Sequence, residues 1–141
     1  MTKTKIYYIV DDDTDDQQFL REALIENDPN TQCFTAYDAQ AALTNLKDAL
    51  IPLPDAIFLD LNMPGLDGKQ CLAELKRTPS LEHIPVVIYS TTSDKKEIQE
   101  TLKMGASYFL IKRNSFNDLK SALSPIVDAL ALPVHLLPNH P

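Results

Sequence analysis

The sequence predicts an α/β fold in which five short parallel strands alternate with five helices. Two observations carry this prediction. Four apolar runs end abruptly at polar residues, and amphipathic stretches of helical length separate them. Alternation of this kind favours a doubly wound parallel sheet, covered by helices on both faces and joined by right-handed crossovers. A chain of 141 residues is long enough for one such domain with its own core.

Composition and charge restrict the classes of function. The chain is 44% hydrophobic and 23% charged, and no apolar run approaches the roughly 20 residues that span a bilayer. Its net charge of −7 argues against direct nucleic-acid binding. The N-terminus lacks the apolar segment of a secretory signal, and Cys33 and Cys71 form no CxxC motif. We therefore expect a cytoplasmic protein with buried free thiols and no membrane partner.

The N-terminal part of the chain predicts a strand, a helix and an edge strand. Residues 5–10 are largely apolar and end at an acidic turn. Asp15 and Asp16 suit the first turn of the following helix, where solvated carboxylates complement the helix dipole. That helix stops at the turn cluster 27–30. Residues 31–36 contain few apolar side chains, which fits a strand at the edge of the sheet.

The middle of the chain predicts a second helix, a buried strand and a third helix. Residues 39–50 carry alanine and leucine at helical spacing, with Ala49 and Leu50 on the inner face. Residues 56–59 form an apolar run bounded by turn residues, which is typical of a buried parallel strand. The third helix is predicted over residues 69–77.

The C-terminal part predicts two further strands and two helices. Residues 86–89 and 108–111 are the fourth and fifth strands, and Gly105 ends the helix between them. The last helix follows the fifth strand. Pro125 lies inside its apolar pattern, and proline in a helix interior costs on the order of 3 kcal/mol. We therefore predict a bend or a restart near Ser124.

The predicted organisation is a single domain followed by a tail. Residues 1–130 contain all the predicted strands and helices, with no linker between them. Residues 131–141 carry three prolines among apolar residues. Proline at this density favours an extended segment over a further helix.

Polar side chains follow the predicted strands at the points where the strands end. They are Asp11 and Asp12, Asp60, Ser90, and Lys112. Ligands of open α/β sheets bind at this edge. Two carboxylates 4 Å apart repel by about 4 kcal/mol at an effective dielectric constant near 20, so either some stay protonated or a cation binds. Hard oxygen ligands with room for water favour Mg²⁺.

These residue types together suit phosphoryl transfer. A carboxylate can attack phosphorus and form an aspartyl phosphate. Phosphoryl transfer depends mostly on positioning and on neutralising charge. The Lys112 ammonium and the Ser90 hydroxyl, together with a divalent cation, can supply both.

Four segments resemble the receiver domain of response regulators in two-component signalling. They are Val10-Asp11-Asp12-Asp13, residues 58–68, residues 85–91, and Gly105-Ala106-Ser107 leading to Lys112. The resemblance extends over about residues 5–130, and the segments occur in the order and spacing of the family. It implies a flavodoxin-like fold with strand order 2-1-3-4-5.

The resemblance also implies an acceptor and a metal site. Asp60 would receive a phosphoryl group from a histidine kinase or a histidine phosphotransfer protein. Asp12 would bind Mg²⁺ directly and Asp11 mainly through water. Asp60 and the backbone carbonyl of Asn62 would complete the protein's share of the ligands.

The resemblance further implies a switch. Ser90 and Lys112 would contact the phosphoryl group, and Phe109 would swing inward when the Ser90 hydroxyl moves. The side chains of Asn62 and Thr92 would tune how fast the phosphate is lost. The signal would pass through the face made by the fourth helix, fifth strand and fifth helix, which could also form a homodimer. Such a domain catalyses only its own phosphorylation and dephosphorylation, and its downstream partner would be a protein.

Two departures from the family pattern and three alternative functions stay open. One departure is Pro125, which lies on the implied output face. The family usually follows its lysine with a proline in cis, whereas Arg113 follows Lys112 here, so that bond can be cis or trans.

A degenerate receiver acting only as an interaction module is one alternative function. An aspartyl-phosphate phosphatase of the haloacid-dehalogenase kind is another, although it expects an aspartate where Asn62 stands. Flavin binding is disfavoured, because acids replace the phosphate-cradling loop after Val10.

Overall fold

The computed structural model describes residues 4–132 and contains five strands and five helices that alternate along the chain. The strands are β1 (Lys5–Val10), β2 (Thr31–Ala36), β3 (Ala56–Leu59), β4 (Val86–Ser90) and β5 (Tyr108–Ile111). The helices are α1 (Thr14–Asn27), α2 (Ala39–Lys47), α3 (Gly68–Arg77), α4 (Lys95–Lys103) and α5 (Phe116–Leu130). All strand pairs are parallel, in the order β2-β1-β3-β4-β5. The fold class, the strand order and the edge position of β2 are confirmed.

The strand register aligns the carboxyl ends of the central strands. Val10 pairs with Leu59, and Leu59 pairs with Ile88. Backbone hydrogen bonds continue one residue beyond the strands: Asp60 N–H donates to the Val10 carbonyl at 2.9 Å. The polar residues that follow β1 and β3 are therefore held side by side at one edge of the sheet.

Side chains alternate between two cores, one on each face of the sheet, as the period of a strand requires. Along β1, Tyr8 and Val10 face the core covered by α2 and α3, whereas Tyr7 and Ile9 face the core covered by α1 and α5. The helices α1 and α5 thus share one face. This places the start of α1 on the side of the sheet where α5 begins.

Caps fix the starts of the helices. The side chain of Asp13 accepts from Asp16 N–H at α1, that of Asp67 from Gln70 N–H at α3, and that of Ser115 from the first turn of α5. These bonds satisfy N–H groups that have no partner inside the helix.

The second helix is shorter than predicted. It ends at Lys47, and Ala49 adopts a φ of 55°, which turns the chain away from the helix path. Ala49 and Leu50 were predicted to face inward, and this is wrong: both are exposed, Leu50 to 65%. The helical period continued in the sequence, but the left-handed residue ends the helix first.

We predicted a bend or a restart near Ser124. No restart occurs, since α5 runs unbroken with Pro125 inside it, and the bend stays a prediction. Pro125 and Ser121 are both exposed. Proline has no N–H to donate to the Ser121 carbonyl. Because both residues are exposed, water can donate to this carbonyl instead. Leu119 and Leu123, on the opposite face, are buried and hold the helix on the sheet.

The structure also tests the predicted Lys112–Arg113 peptide bond and the predicted burial of the two cysteines. None of the peptide bonds in residues 4–132 is cis, so the bond between Lys112 and Arg113 is trans. Cys71 is a buried free thiol as expected, whereas Cys33 is only half-buried. Within the described part of the chain, no helix is both long and apolar enough to cross a membrane. The predicted boundary at residue 130 stays a prediction, and residues 133–141 of the predicted tail lie outside the described residues.

Candidate functional site

Three carboxylates meet at the carboxyl edge of the sheet. Asp11 follows β1 and is 1% exposed, Asp60 follows β3 and is 4% exposed, and Asp12 is exposed. One oxygen from each lies within 4.8 Å of the others. Three hard oxygen donors at this separation, one of them open to solvent, are suited to hold a divalent cation that keeps part of its water shell.

The Lys112 ammonium lies against the same carboxylates. Its Nζ atom is 2.8 Å from Asp11 Oδ2 and 3.6 Å from Asp60 Oδ2. It also donates a hydrogen bond to Asp16 Oδ2 at 2.8 Å, and it lies 5.3 Å from the centre of the Tyr89 ring. The Lys112 side chain is only 10% exposed. A nearly buried ammonium thus offsets part of the negative charge of the cluster.

Burial and mutual repulsion shift the ionisation of this group. Burial, together with the neighbouring charges of Asp11 and Asp12, raises the pKa of Asp60 to about 6, although Lys112 opposes the rise. Burial likewise raises the pKa of Asp11. Burial alone would lower the pKa of Lys112, but its pairing with Asp11 and Asp16 outweighs burial and holds that pKa above its usual value. The lysine therefore stays charged, while burial disfavours the ionised forms of Asp11 and Asp60.

The loop after β3 holds the Asp60 carboxylate in place. The Asn62 N–H donates to Asp60 Oδ1 at 3.3 Å, and the Gly68 N–H donates to the Leu61 carbonyl at 3.1 Å. Gly68 packs directly on this backbone: a Cβ there would lie 2.2 Å from the Asp60 carbonyl oxygen and 2.5 Å from Leu61 Cα. Only glycine fits at this position without moving the loop.

Ser90 and Phe109 occupy the neighbouring strands. Ser90 ends β4, is fully buried, and its hydroxyl oxygen accepts from the Thr92 N–H at 3.4 Å. Its carbonyl accepts from the Lys112 N–H at 2.7 Å, which ties the start of the β5–α5 loop to the end of β4. Phe109 lies opposite Ile88, half-buried, and packs on the core under α2 and α3. The structure thus brings Asp11, Asp12, Asp60 and Lys112 together, with Ser90 at the adjacent strand end and Phe109 within β5.

Two residues of α1 contact the site although the sequence predicted no role for them there. Asp16 was interpreted as a solvated carboxylate, and this is wrong, because it pairs with Lys112. Gln17 is 4% exposed, and its side-chain amide donates to the carbonyls of Asp11 at 2.7 Å and Ala36 at 2.9 Å. It therefore fixes the β1–α1 loop that carries Asp11 and Asp12. The sequence did carry a signal for Gln17: it is a polar residue three positions before Leu20, on the inner face of α1.

Known proteins resemble the part of the chain that forms this site. Residues 8–124 match the family described as response regulator receiver domain. The chain belongs to this family. This receiver domain is 29% identical to response regulator Rcp1 of Synechocystis sp. over 119 residues, 82% of this chain and 81% of Rcp1. It is 35% identical over 74 residues to a probable methanogenesis regulatory protein, FilR2 of Methanothrix harundinacea, covering 52% of this chain and 48% of that longer protein.

Solved structures show the same fold. The Mn²⁺-bound form of Rcp1 superimposes on this receiver domain with a TM-score of 0.80 at 27% identity, covering 92% of this chain and 99% of that one. The phosphorylated cyanobacterial phytochrome response regulator RcpA gives a TM-score of 0.81 at 29% identity, covering 89% and 93% of the two chains. The superposition covers nearly the whole of both solved chains.

Proposed function

We propose that this receiver domain is a phosphoryl-accepting signalling switch and that Asp60 is its acceptor. The observation that carries the proposal is the position of the Asp60 carboxylate. It is buried at the end of β3, between a three-carboxylate cluster and the nearly buried Lys112 ammonium. The donor would be a phosphohistidine of a histidine kinase or of a histidine phosphotransfer protein. An Asp60 oxygen would bond to phosphorus as the bond from phosphorus to the donor nitrogen breaks, and the nitrogen would keep that electron pair.

The metal of the proposed site is Mg²⁺. Asp11, Asp12 and Asp60 would hold it, with the backbone carbonyl of Asn62 as a further ligand. A bound divalent cation supplies charge neutralisation to a transferring phosphoryl group. The donor set of hard oxygens fits such an ion, and a relative, Rcp1, has been solved in an Mn²⁺-bound form.

The proposed roles of the remaining residues concern the phosphoryl oxygens and the output. Lys112 would pair with one oxygen, and the Ser90 hydroxyl would donate to another. Ser90 would release the Thr92 N–H to do so, and Phe109 would follow it inward on β5. The changed surface would be the face of α4, β5 and α5, where a protein partner or a second copy of the chain would bind. The phosphorylated structure of RcpA supports a phosphoryl-accepting role in a relative.

Two alternatives are weaker. A phosphatase of the haloacid-dehalogenase kind needs a general acid two residues after its nucleophile, and Asn62 cannot donate a proton in that role. A degenerate receiver would gain nothing from buried carboxylates that repel one another. Burying Asp11 and Asp60 next to one another costs stability, and the presence of this costly arrangement favours a working site.

Intact mass spectrometry after incubation with acetyl phosphate and Mg²⁺ tests the proposal. The wild type should gain one phosphoryl group, and the gain should vanish with EDTA and in Asp60→Asn. Asp15→Asn is a matched control, because Asp15 is an exposed carboxylate near the site, and it should keep the adduct. No adduct on the wild type under conditions where Mg²⁺ binding is measured independently would favour the degenerate interaction module. Steady release of phosphate from many monoesters would favour the phosphatase.

A further inference from the structure

Lys112 has an acidic partner, Asp16, outside the three-carboxylate cluster. Asp16 Oδ2 accepts a hydrogen bond from Lys112 Nζ at 2.8 Å, as close as Asp11 Oδ2 and closer than Asp60 Oδ2 at 3.6 Å. The Asp16 side chain is 36% exposed, whereas that of Asp11 is 1% exposed. The ammonium therefore lies on the α1 side of the site, nearer to Asp16 than to the proposed phosphoryl acceptor.

Both ends of this pair are fixed by backbone contacts. The Asp16 N–H donates to the Asp13 side chain that caps α1, which sets the position of the first turn. The Lys112 N–H donates to the Ser90 carbonyl, which sets the position of the lysine backbone beside β4. The pair joins residues 96 positions apart in the sequence and links α1 to the β5–α5 loop.

We propose that Asp16 is a positioning residue that holds Lys112 on the α1 side, so that a phosphoryl group on Asp60 competes with α1 for the ammonium. This inference rests on the proposed function of Asp60. In the unphosphorylated state Lys112 bridges Asp16 and the cluster. When phosphoryl oxygens extend outward from Asp60, Lys112 turns toward them and its hydrogen bond to Asp16 weakens.

The competition has a definite sign. Asp16 attracts the ammonium that a phosphoryl group needs, and it adds a negative charge near the place where the phosphoryl charge develops. Removing the Asp16 charge therefore strengthens binding of a phosphoryl analogue. The same removal weakens the attraction for a cation at the cluster, so the comparison has to be made at saturating Mg²⁺.

Binding of beryllofluoride, which mimics a phosphoryl group on an aspartate, measures the competition. Isothermal titration at saturating Mg²⁺ should give about three- to tenfold tighter binding for Asp16→Asn than for wild type, the range expected for a partly exposed ion pair. Asp15→Asn removes the same charge from the same helix turn. Asp15 is exposed and has no contact with Lys112 among those described, so this variant should stay within about twofold of wild type.

A second readout follows the Lys112 ammonium directly. The side-chain ammonium of a hydrogen-bonded lysine gives a ¹⁵N NMR signal that is protected from solvent exchange, and the signal lost in Lys112→Met identifies Lys112. In the metal-free protein, Asp16→Asn should shift and broaden this signal and Asp15→Asn should not. Beryllofluoride with Mg²⁺ should shift it in the wild type.

The outcomes separate this inference from the proposed function. Unchanged or weaker beryllofluoride binding in Asp16→Asn would overturn the inference while the wild type still binds. Equal tightening in Asp15→Asn would reduce the effect to general charge and overturn it too. Tightening without any change in the Lys112 signal would mean that Asp16 acts by direct repulsion and not through the lysine, which is also contrary to the inference. A wild type that does not bind beryllofluoride would overturn the proposed function and this inference with it.

Discussion

Replacing Asp60 by asparagine should stabilise the metal-free protein at pH 8. The Asp60 carboxylate is 4% exposed, and burial together with its acidic neighbours raises its pKa from 3.8 to about 6. An ionised Asp60 therefore opposes folding. The asparagine side chain has nearly the same shape and no charge, so it removes this opposition without opening a cavity.

The magnitude and the pH dependence follow from linkage. At about 1.4 kcal/mol per pKa unit, a rise from 3.8 to about 6 corresponds to about 3 kcal/mol. This rise already includes the opposing attraction of Lys112, so we expect a gain of up to about 3 kcal/mol. Between these two pKa values the folded state binds more protons than the unfolded state, so the stability of the wild type falls as pH rises through this window and levels off above it. The gap between Asp60→Asn and wild type should narrow by at least half at pH 4.5.

Urea unfolding in EDTA at pH 4.5 and pH 8 measures both effects. Asp15→Asn is the matched control, because it removes an exposed carboxylate near the site and should change stability by less than about 0.5 kcal/mol. Saturating Mg²⁺ should reduce or reverse the advantage of Asp60→Asn, since the ion binds the folded wild type and stabilises it. A variant that is less stable than wild type at pH 8 in EDTA, or a gap that does not change with pH, would refute the argument from buried charge.

Three further predictions concern the surroundings of the site. Asp12→Asn should weaken Mg²⁺ binding at least tenfold by calorimetry, because it removes the exposed carboxylate of the cluster; unchanged affinity would place the ion elsewhere. Gln17→Leu removes the side-chain donor of the Asp11 carbonyl and one of the two donors to the Ala36 carbonyl, which still accepts from the Asp11 N–H. It should destabilise the protein by about 1–3 kcal/mol in urea, whereas Gln18→Leu on the exposed face should not. Gly68→Ala places a Cβ 2.2 Å from the Asp60 carbonyl oxygen and should cost about 1–3 kcal/mol or more, with a lower yield of phosphoryl adduct; wild-type stability would contradict the close approach.

The elements and the edge residues were predictable because they depend on local pattern. Apolar runs of strand length, turn residues and amphipathic periods gave all five strands and five helices, with ends displaced by up to three residues. Because the strands are parallel and each of these residues directly follows a strand, Asp11, Asp60 and Lys112 lie at the same edge of the sheet. The family resemblance added the strand order and the predicted role of each residue.

Local exceptions were decided by packing and solvent access. The helical period continued to Leu50, but the positive φ of Ala49 ended α2 at Lys47. Pro125 should have interrupted α5, but it lies on the exposed face, and the buried Leu119 and Leu123 keep the helix continuous. Such outcomes depend on which face of a helix meets the core, and a local sequence pattern does not specify this.

The sequence by itself determined which residues stand at the edge of the sheet, because strand ends are set by nearby residues. Only the tertiary structure decided which of them share partners. Asp16 and Asp15 are adjacent carboxylates in the same helix turn, yet Asp16 pairs with Lys112 and Asp15 is exposed. That difference comes from the packing of α1 and α5 on one face of the sheet, which brings residues 96 positions apart to within 2.8 Å. Contacts between distant segments have no local sequence signal, since they depend on how whole elements pack.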